Sequence, residues 1–306
     1  YYSGMGPGMI GGSYEPSEIR FPIEEMVTAR GGTFVRDRAA RIDPKSQSVS
    51  LESGEVLAYD VLSVNTGSTI AGTVKLRRLQ SDGSVAVFHA KPIDELVEAR
   101  RTFLSLLEQG PLTAAVIGGG PAAVEIAGNL RRLARSAAHE EATVELLAAR
   151  GVLPGFPRAV EWCARRALTR SGVTVRTDTR VTEIDGNGMI VNGERETADL
   201  AILATGVVPS RLFAESEMPV GPDGSLAVNE HLHALGYPNI FGGGDCVWLT
   251  PDPLPRAGVF AVRQSKVLIG NVLAGLNSGR LARFGRSGSY MLLMNLGDET
   301  ALLWRR

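Results

Sequence analysis

Three glycines and a proline, Gly118-Gly119-Gly120-Pro121, followed by Ala122, Ala123 and the acid Glu125, are the residues of this 306-residue sequence whose spacing speaks most directly of chemistry. They form Gly-x-Gly-x-x-Ala. Gly118 permits a tight turn, Gly120 lets backbone approach a pyrophosphate, and Ala123 fills a small position against a sheet. A helix that starts there turns free N–H groups and the positive end of its dipole toward a phosphate. Sulfur and imidazole chemistry is less well served. Cys163 and Cys246 lie far apart and make no short redox pair. His231 and His233 share one face of an expected strand, but two ligands without a third argue against a metal site.

The elements that must position the loop are legible around it. "TAAVI" reads as a strand, "AVEIAGNLRRLA" as an amphipathic helix and "TVELLA" as a second strand. The end of such a second strand often carries an acid for ribose hydroxyls; here Glu145 lies within it and Arg150 follows it. An arginine at that point can accept the 2'-phosphate of NADP or be a solvated loop charge, and both readings stay open. Arg131, Arg132 and Arg135, with Arg165, Arg166 and Arg170, read as solvated faces of two helices.

A repeat explains why the loop sits mid-chain. From Gly32 the sequence runs Val35-Arg36, Ile42-Asp43, Gly54-Glu55, Asp60 and Thr66-Gly67; from Gly172 it runs Val175-Arg176, Ile184-Asp185, Gly193-Glu194, Asp199 and Thr205-Gly206. Each unit reads as a strand, a hairpin turned at Gly-Glu, and an apolar strand ending in Thr-Gly. The loop precedes the second unit. The same spacing applied to the first unit places a partner glycine loop about 20 residues before residue 1.

Bulk properties exclude several classes. Net charge is -1, so no basic surface points to nucleic acid. No run of 18 apolar residues lacks glycine or charge, and the opening residues lack the regions of a signal peptide. With only two cysteines, a reducing cytoplasm is the expected location. The length suits two domains.

The ordered segments "YDVLSVNTGS", "AAVIGGGPAAVEIAG", "ADLAILATGVVP" and "IFGGGDC…AGVFAVRQ" resemble the FAD-containing pyridine nucleotide-disulfide oxidoreductase family over almost the whole chain. Within it, "YSGMGPGMI", "KPIDEL" and "RAGVFAVRQ" are most similar to type II NADH dehydrogenase-like flavoproteins and to the oxidoreductase module associated with selenide, water dikinase. The fold implied is α/β, with two Rossmann-like FAD/NAD(P)-binding domains of three-layer ββα type. An FAD domain at 1–90 and 211–283, its first glycine loop absent from this sequence, would hold an inserted NAD(P) domain at 91–210. A β hairpin would end the chain at 284–306.

The resemblance also assigns residues. Asp245, beside Gly244, would bind the FAD ribityl chain; Gly258 and Val259, at a helix N-terminus, would face the flavin pyrimidine edge. Thr66-Gly67-Ser68 would lie near the adenine half, and Thr205-Gly206 would line the nicotinamide nucleotide site. Glu125 matches a family glutamate near nicotinamide and flavin, which makes it the candidate catalytic residue; an acid placed there for the helix dipole is the equal alternative. The implied enzyme passes hydride from NAD(P)H to FAD and electrons on to a quinone or other small acceptor. The missing cysteine pair sets aside the thiol-dependent members. Of the quinone-facing glutamine stretch, Gln264 remains and Val259 replaces the earlier glutamine. Homodimer formation and contact with the inner face of a membrane are left open, and the rival reading is a nucleotide-binding fragment or partner module in selenophosphate synthesis without turnover.

Overall fold

The computed structural model describes residues 1–76, 85–285 and 288–305. A short helix, α1 (Gly6–Ile10), comes first. A meander follows, β1 (Ala39–Asp43), β2 (Ser48–Leu51) and β3 (Val56–Ala58), and then strand β4 (Leu62–Val64). Next come β5 (Ala86–His89), helix α2 (Ile93–Leu107), β6 (Thr113–Ile117), helix α3 (Pro121–Ser136) and β7 (Thr143–Ala148). Helix α4 (Arg158–Arg170) leads to β8 (Val173–Thr177), the meander β9 (Val181–Asp185), β10 (Gly188–Val191) and β11 (Glu194–Glu196), and β12 (Leu200–Leu203). The remainder is β13 (Leu226–Val228), β14 (His233–Ala234), β15 (Tyr237–Gly242), β16 (Val247–Leu249), the long helix α5 (Gly258–Leu276) and the hairpin β17 (Met291–Asn295) and β18 (Ala301–Arg305).

Contacts divide the chain into two units. One contains Tyr1–Phe21, Ile70–Gly206 and Met291–Arg306. Its parallel sheet runs β8-β7-β6-β12-β5, the order in which a crossover returns β12 to the middle. The strands are apolar on both faces, as burial between two layers requires. Ala114, Val116, Leu200 and Ile202 point into the core beneath the helices, with Ile126, Leu130 and Phe103. Ala115, Ile117, Ala201 and Leu203 point the other way, onto Ile184, Met189 and Val191 of the β9-β10-β11 meander. Alternation at period two thus produces three layers from one strand set.

The second unit contains Pro22–Thr69 and Val207–Tyr290. Its mixed sheet runs β16-β13-β14-β15-β4, with the β1-β2-β3 meander as a separate sheet. Ile42, Val49 and Leu51 of that meander share a core with Val64, Phe241 and Leu268.

The boundaries differ from those expected at 1–90, 91–210, 211–283 and 284–306. Residues 1–21 and 291–305 group with the glycine-loop unit because both pack on α3. The reason is the small-residue face of that helix. A Cβ at Gly128 would strike the Leu296 carbonyl, and a Cβ at Gly297 the Gly128 carbonyl, so the hairpin turn lies directly on helix backbone.

Candidate functional site

In the glycine-loop unit, three parallel strands end level: Ile117 pairs with Leu147 on one side and with Leu203 on the other. The loop begins there. Gly118 has φ +144°, and a Cβ on it would collide with the Ala204 carbonyl. At Gly119 a Cβ would meet the Gly151 carbonyl, while the Gly119 carbonyl accepts the Leu153 N–H at 2.6 Å. Gly120 faces open space and is the extended N-cap of α3, without a side-chain cap. Pro121 then occupies the first turn, where its missing N–H costs nothing, and Ala123 is fully buried. The result is an uncapped helix N-terminus behind a backbone-only turn, a cradle whose chemistry suits an anion.

The neighbouring strand end, Thr205-Gly206, ties down the chain that enters the unit. The Thr205 hydroxyl donates to the Ala71 carbonyl at 3.0 Å, and the Gly206 carbonyl accepts the Ala71 N–H at 2.9 Å. Arg150 lies exposed two residues beyond β7, next to the loop's Gly151 contact, and makes no ion pair with described residues.

Glu125 stands one turn into α3 and is partly buried. Burial pushes its carboxyl up to about 7, and the Asn295 N–H, donated to Oε1 at 2.9 Å, opposes that rise.

The second unit brings together a different set. β4 and β15 are parallel, with Val64 opposite Gly242, so the residues after each strand emerge side by side. Thr66-Gly67-Ser68 follows one, and Gly243-Gly244-Asp245 the other. The Ser68 hydroxyl donates to Asp245 Oδ2 at 2.8 Å. Gly67 and Gly244 adopt φ of +67° and +76°, which glycine alone adopts without strain. Helix α5 starts nearby at Gly258-Val259, its N-cap Ala257 offering no side-chain cap, and packs on β15 and the 244–246 turn. By length and composition α5 could cross a membrane, yet Phe260, Gln264, Leu268 and Asn271 bury one face of it in the unit. Val262, Ile269, Leu273 and Leu276 remain exposed.

Two residues around Asp245 serve differently from their sequence reading or escaped it. Gln264, expected to face an acceptor, is buried and accepts the Gly244 N–H at 2.7 Å. Arg256 donates through Nε to the Asp245 carbonyl at 3.0 Å, while its Nη2 holds Asp223 at 2.6 Å and Ser225 at 2.8 Å. A lone arginine in a proline-rich loop gave no periodic signal. Cys246 is fully buried, its thiol on the Gly243 and Val64 carbonyls at 3.3 and 3.6 Å, and burial pushes that thiol up, away from the reactive thiolate.

Other expectations need correction. Arg131 is not on a solvated face: it is buried, pairs with Glu140 at 2.6 Å, and fills the space that a side chain at Gly172 would need. The two histidine rings stack at 6.3 Å, but only His233 lies in a strand, and His231 Nδ1 donates to the Ala282 carbonyl at 3.0 Å.

The profile of the family described as pyridine nucleotide-disulphide oxidoreductase matches residues 6–265. Ferroptosis suppressor protein 1 of Taeniopygia guttata is 26% identical over 279 residues, covering 87% of this chain and 70% of its own. Type II NADH:quinone oxidoreductase Ndh of Mycobacterium tuberculosis is 30% identical over 219 residues, 61% of this chain and 47% of that one. Among solved structures, an NAD-dependent persulfide reductase from A. fulgidus superposes with a TM-score of 0.75 at 22% identity, over 95% of this chain and 55% of that chain.

Proposed function

The chain belongs to the pyridine nucleotide-disulphide oxidoreductase family, a family of FAD- and NAD(P)H-using enzymes, and from that premise we propose a division of labour between its units. The glycine-loop unit holds the nicotinamide nucleotide, and the Asp245 unit holds the flavin. The observation that carries this reading is the loop itself: Gly118 and Gly119 have no room for a Cβ, while Gly120 faces open space at an uncapped helix start. Such a cradle takes a pyrophosphate by backbone N–H groups alone.

Bound flavin supplies hydride acceptance from reduced nicotinamide and electron transfer to the final acceptor. The protein's own residues bind and orient. The α3 N-terminus offsets phosphate charge, and Arg150, exposed just beyond β7, is a cation that a 2'-phosphate could recruit. Asp245, steadied by Ser68 and by the Arg256 bond to its carbonyl, offers a carboxylate to ribityl hydroxyls. The α5 N-terminus at Gly258 and Val259 would offer the positive end of its dipole to negative charge on a bound flavin. Glu125 holds a proton near neutral pH.

A quinone is the acceptor favoured, because a relative bears the name NADH:quinone oxidoreductase; the exposed apolar face of α5 offers a surface for peripheral contact with the membrane that dissolves quinones. Family membership counts against the reading as a module without turnover. The experiment is spectroscopic. Purified protein should show visible flavin absorption that bleaches on anaerobic addition of NADH or NADPH and returns on addition of a short-chain quinone. Absence of flavin after reconstitution with FAD would sink the enzyme reading, and bleaching without quinone-driven return would sink the acceptor.

A further inference from the structure

Three stretches far apart in sequence meet beside Glu125. Asn129, one turn further along α3 and fully buried, donates through Nδ2 to the Glu125 carbonyl at 2.8 Å and to the Asn295 carbonyl at 3.2 Å. The peptide N–H of that same Asn295 is the donor to Glu125 Oε1. From the third stretch, Gly11 presses its backbone against the Asn129 side chain, where a Cβ would land on Oδ1. That oxygen is buried and has no hydrogen-bond partner. Leaving an amide oxygen so placed carries a desolvation cost that apolar residues at 129 would avoid. Both bonds of the Nδ2 group go to carbonyls that flank the Glu125–Asn295 contact. One holds the helix end of it and the other the strand end.

We propose that Asn129 is a positioning residue for Glu125: by pinning the Asn295 peptide to α3 it keeps the Asn295 N–H on the Glu125 carboxylate, and so makes the C-terminal hairpin part of the glycine-loop site. The strand geometry allows this, since the Asn295 N–H and carbonyl both point to α3 and away from the β18 partner. An N–H donated to a carboxylate stabilises its ionised form, so it lowers the pH at which the proton leaves. Among the described residues no other charge competes. α1, β6 and β17 contain no ionisable side chain. On β7 and β8, Glu145 and Arg176 engage each other at 3.4 Å, and Arg176 also holds Glu196 at 2.6 Å. Arg131 of α3 is occupied by Glu140. Of the charges on α4, Glu161 faces Arg165, and none of them influences Glu125, whose titration is set by burial and then by Asn295.

This inference rests on the reading of Glu125 as the proton-holding residue of a nicotinamide unit, but its test does not need a bound cofactor. Protein labelled with carbon-13 at the glutamate carboxyls, its Glu125 resonance assigned by Glu125→Gln, is titrated by NMR. The wild type should titrate near 7. Asn129→Ala should raise that midpoint by about one unit. Asn295→Pro, which removes the N–H outside the hairpin ladder together with the side-chain bond to the Gly297 N–H, should raise it similarly, whereas Asn295→Ala, which loses that side-chain bond but keeps the N–H, should leave it in place. Thermal melts identify variants that fail to fold, and either of Asn129→Ala and Asn129→Ser serves if folded. An unchanged midpoint in the folded Asn129 variant, with or without a shift in Asn295→Pro, would overturn the proposal. A chain that takes up no flavin yet shows these shifts would overturn the proposed function and leave the positioning role standing.

Discussion

Two segments with the same sequence pattern behave alike in their middles and differently at their edges. Gly32 to Gly67 and Gly172 to Gly206 each fold a three-stranded meander whose second turn is made by a glycine, Gly54 at φ +92° and Gly193 at φ +93°, and each then runs into a strand that pairs in parallel and is followed by Thr-Gly. The edges diverge. β12 has a strand on both sides, whereas β4 pairs with β15 alone among the described residues. Residues 173–177 form a strand beside β7, while 33–37, their counterparts, form no strand and bend at Asp37, whose N–H meets the Val35 carbonyl at 3.1 Å. Turns are local events specified by the residues that make them. A strand is a cooperative one, and it forms where a neighbour satisfies its backbone.

Mutations can sharpen or break this comparison. The largest effect is expected at the loop that feeds the second segment: Gly118→Ala sets a Cβ against the Ala204 carbonyl at a backbone angle unfit for L residues, and should cost about 3 kcal/mol with loss of nucleotide affinity. Chemical denaturation and nucleotide titration measure both. A mild loss would mean the strand ends are not locked together.

Next comes charge. The glutamate Glu125 has an ordinary value of 4.5 and stands near 7 in the folded chain. Below 4.5 both states are protonated and burial is harmless; between 4.5 and 7 only the unfolded chain ionises, so the folded state binds more protons and stability falls as pH rises; above 7 the full cost is present. Glu125→Gln should therefore gain roughly 2–3 kcal/mol over wild type at pH 8 and nothing at pH 4. Parallel denaturation midpoints at the two pH values would refute the buried acid.

Counterpart valines test the edge directly. Val175→Ala, in the paired strand and against the core, should cost about 1–2 kcal/mol, and Val35→Ala, on a segment outside any strand where it is 38% exposed, less than about 0.5. Equal losses would show that 33–37 is packed in solution. The smallest effects belong to the shared turns. Gly54→Ala and Gly193→Ala face open space and should each cost about 1 kcal/mol, by strain in φ alone. A clear inequality in their melting shifts would break the resemblance between the two meanders.

Sequence reading found what local chemistry writes. The glycine loop, the Gly-Glu turns and the alternating strands of the glycine-loop unit follow from glycine conformational freedom and from period-two burial. It missed what distance in sequence conceals. Nothing periodic in "GPGMIGG" says that α1 lies on α3, because the Asn129 side chain that Gly11 meets there is more than a hundred residues on. Arg131 looked solvated for the same reason: its place depends on Glu140 and on the absent side chain of Gly172. Gln264 and Arg256 were visible as polar residues, but only the turn they brace reveals their use. For the sites, the loop residues and the Ser68–Asp245 pair emerge at neighbouring strand ends as the patterns imply, while the surroundings of Glu125 come from the two ends of the chain.

The contact of Gly128 with Leu296 and Gly297 also bears on how the protein is made. Synthesis runs from the first residue to the last, so helix α3 leaves the ribosome long before the strand that covers its glycine face. Until Asn295 and Gly297 have been added, the Asn129 amide keeps only its bond to the Glu125 carbonyl and the Gly128 backbone stays open to water. The segments of the second unit, Pro22–Thr69 and Val207–Tyr290, come before that strand. The glycine-loop unit is thus the one that must wait for β17 and β18, and a nascent chain halted just short of them would leave the glycine face of α3 uncovered.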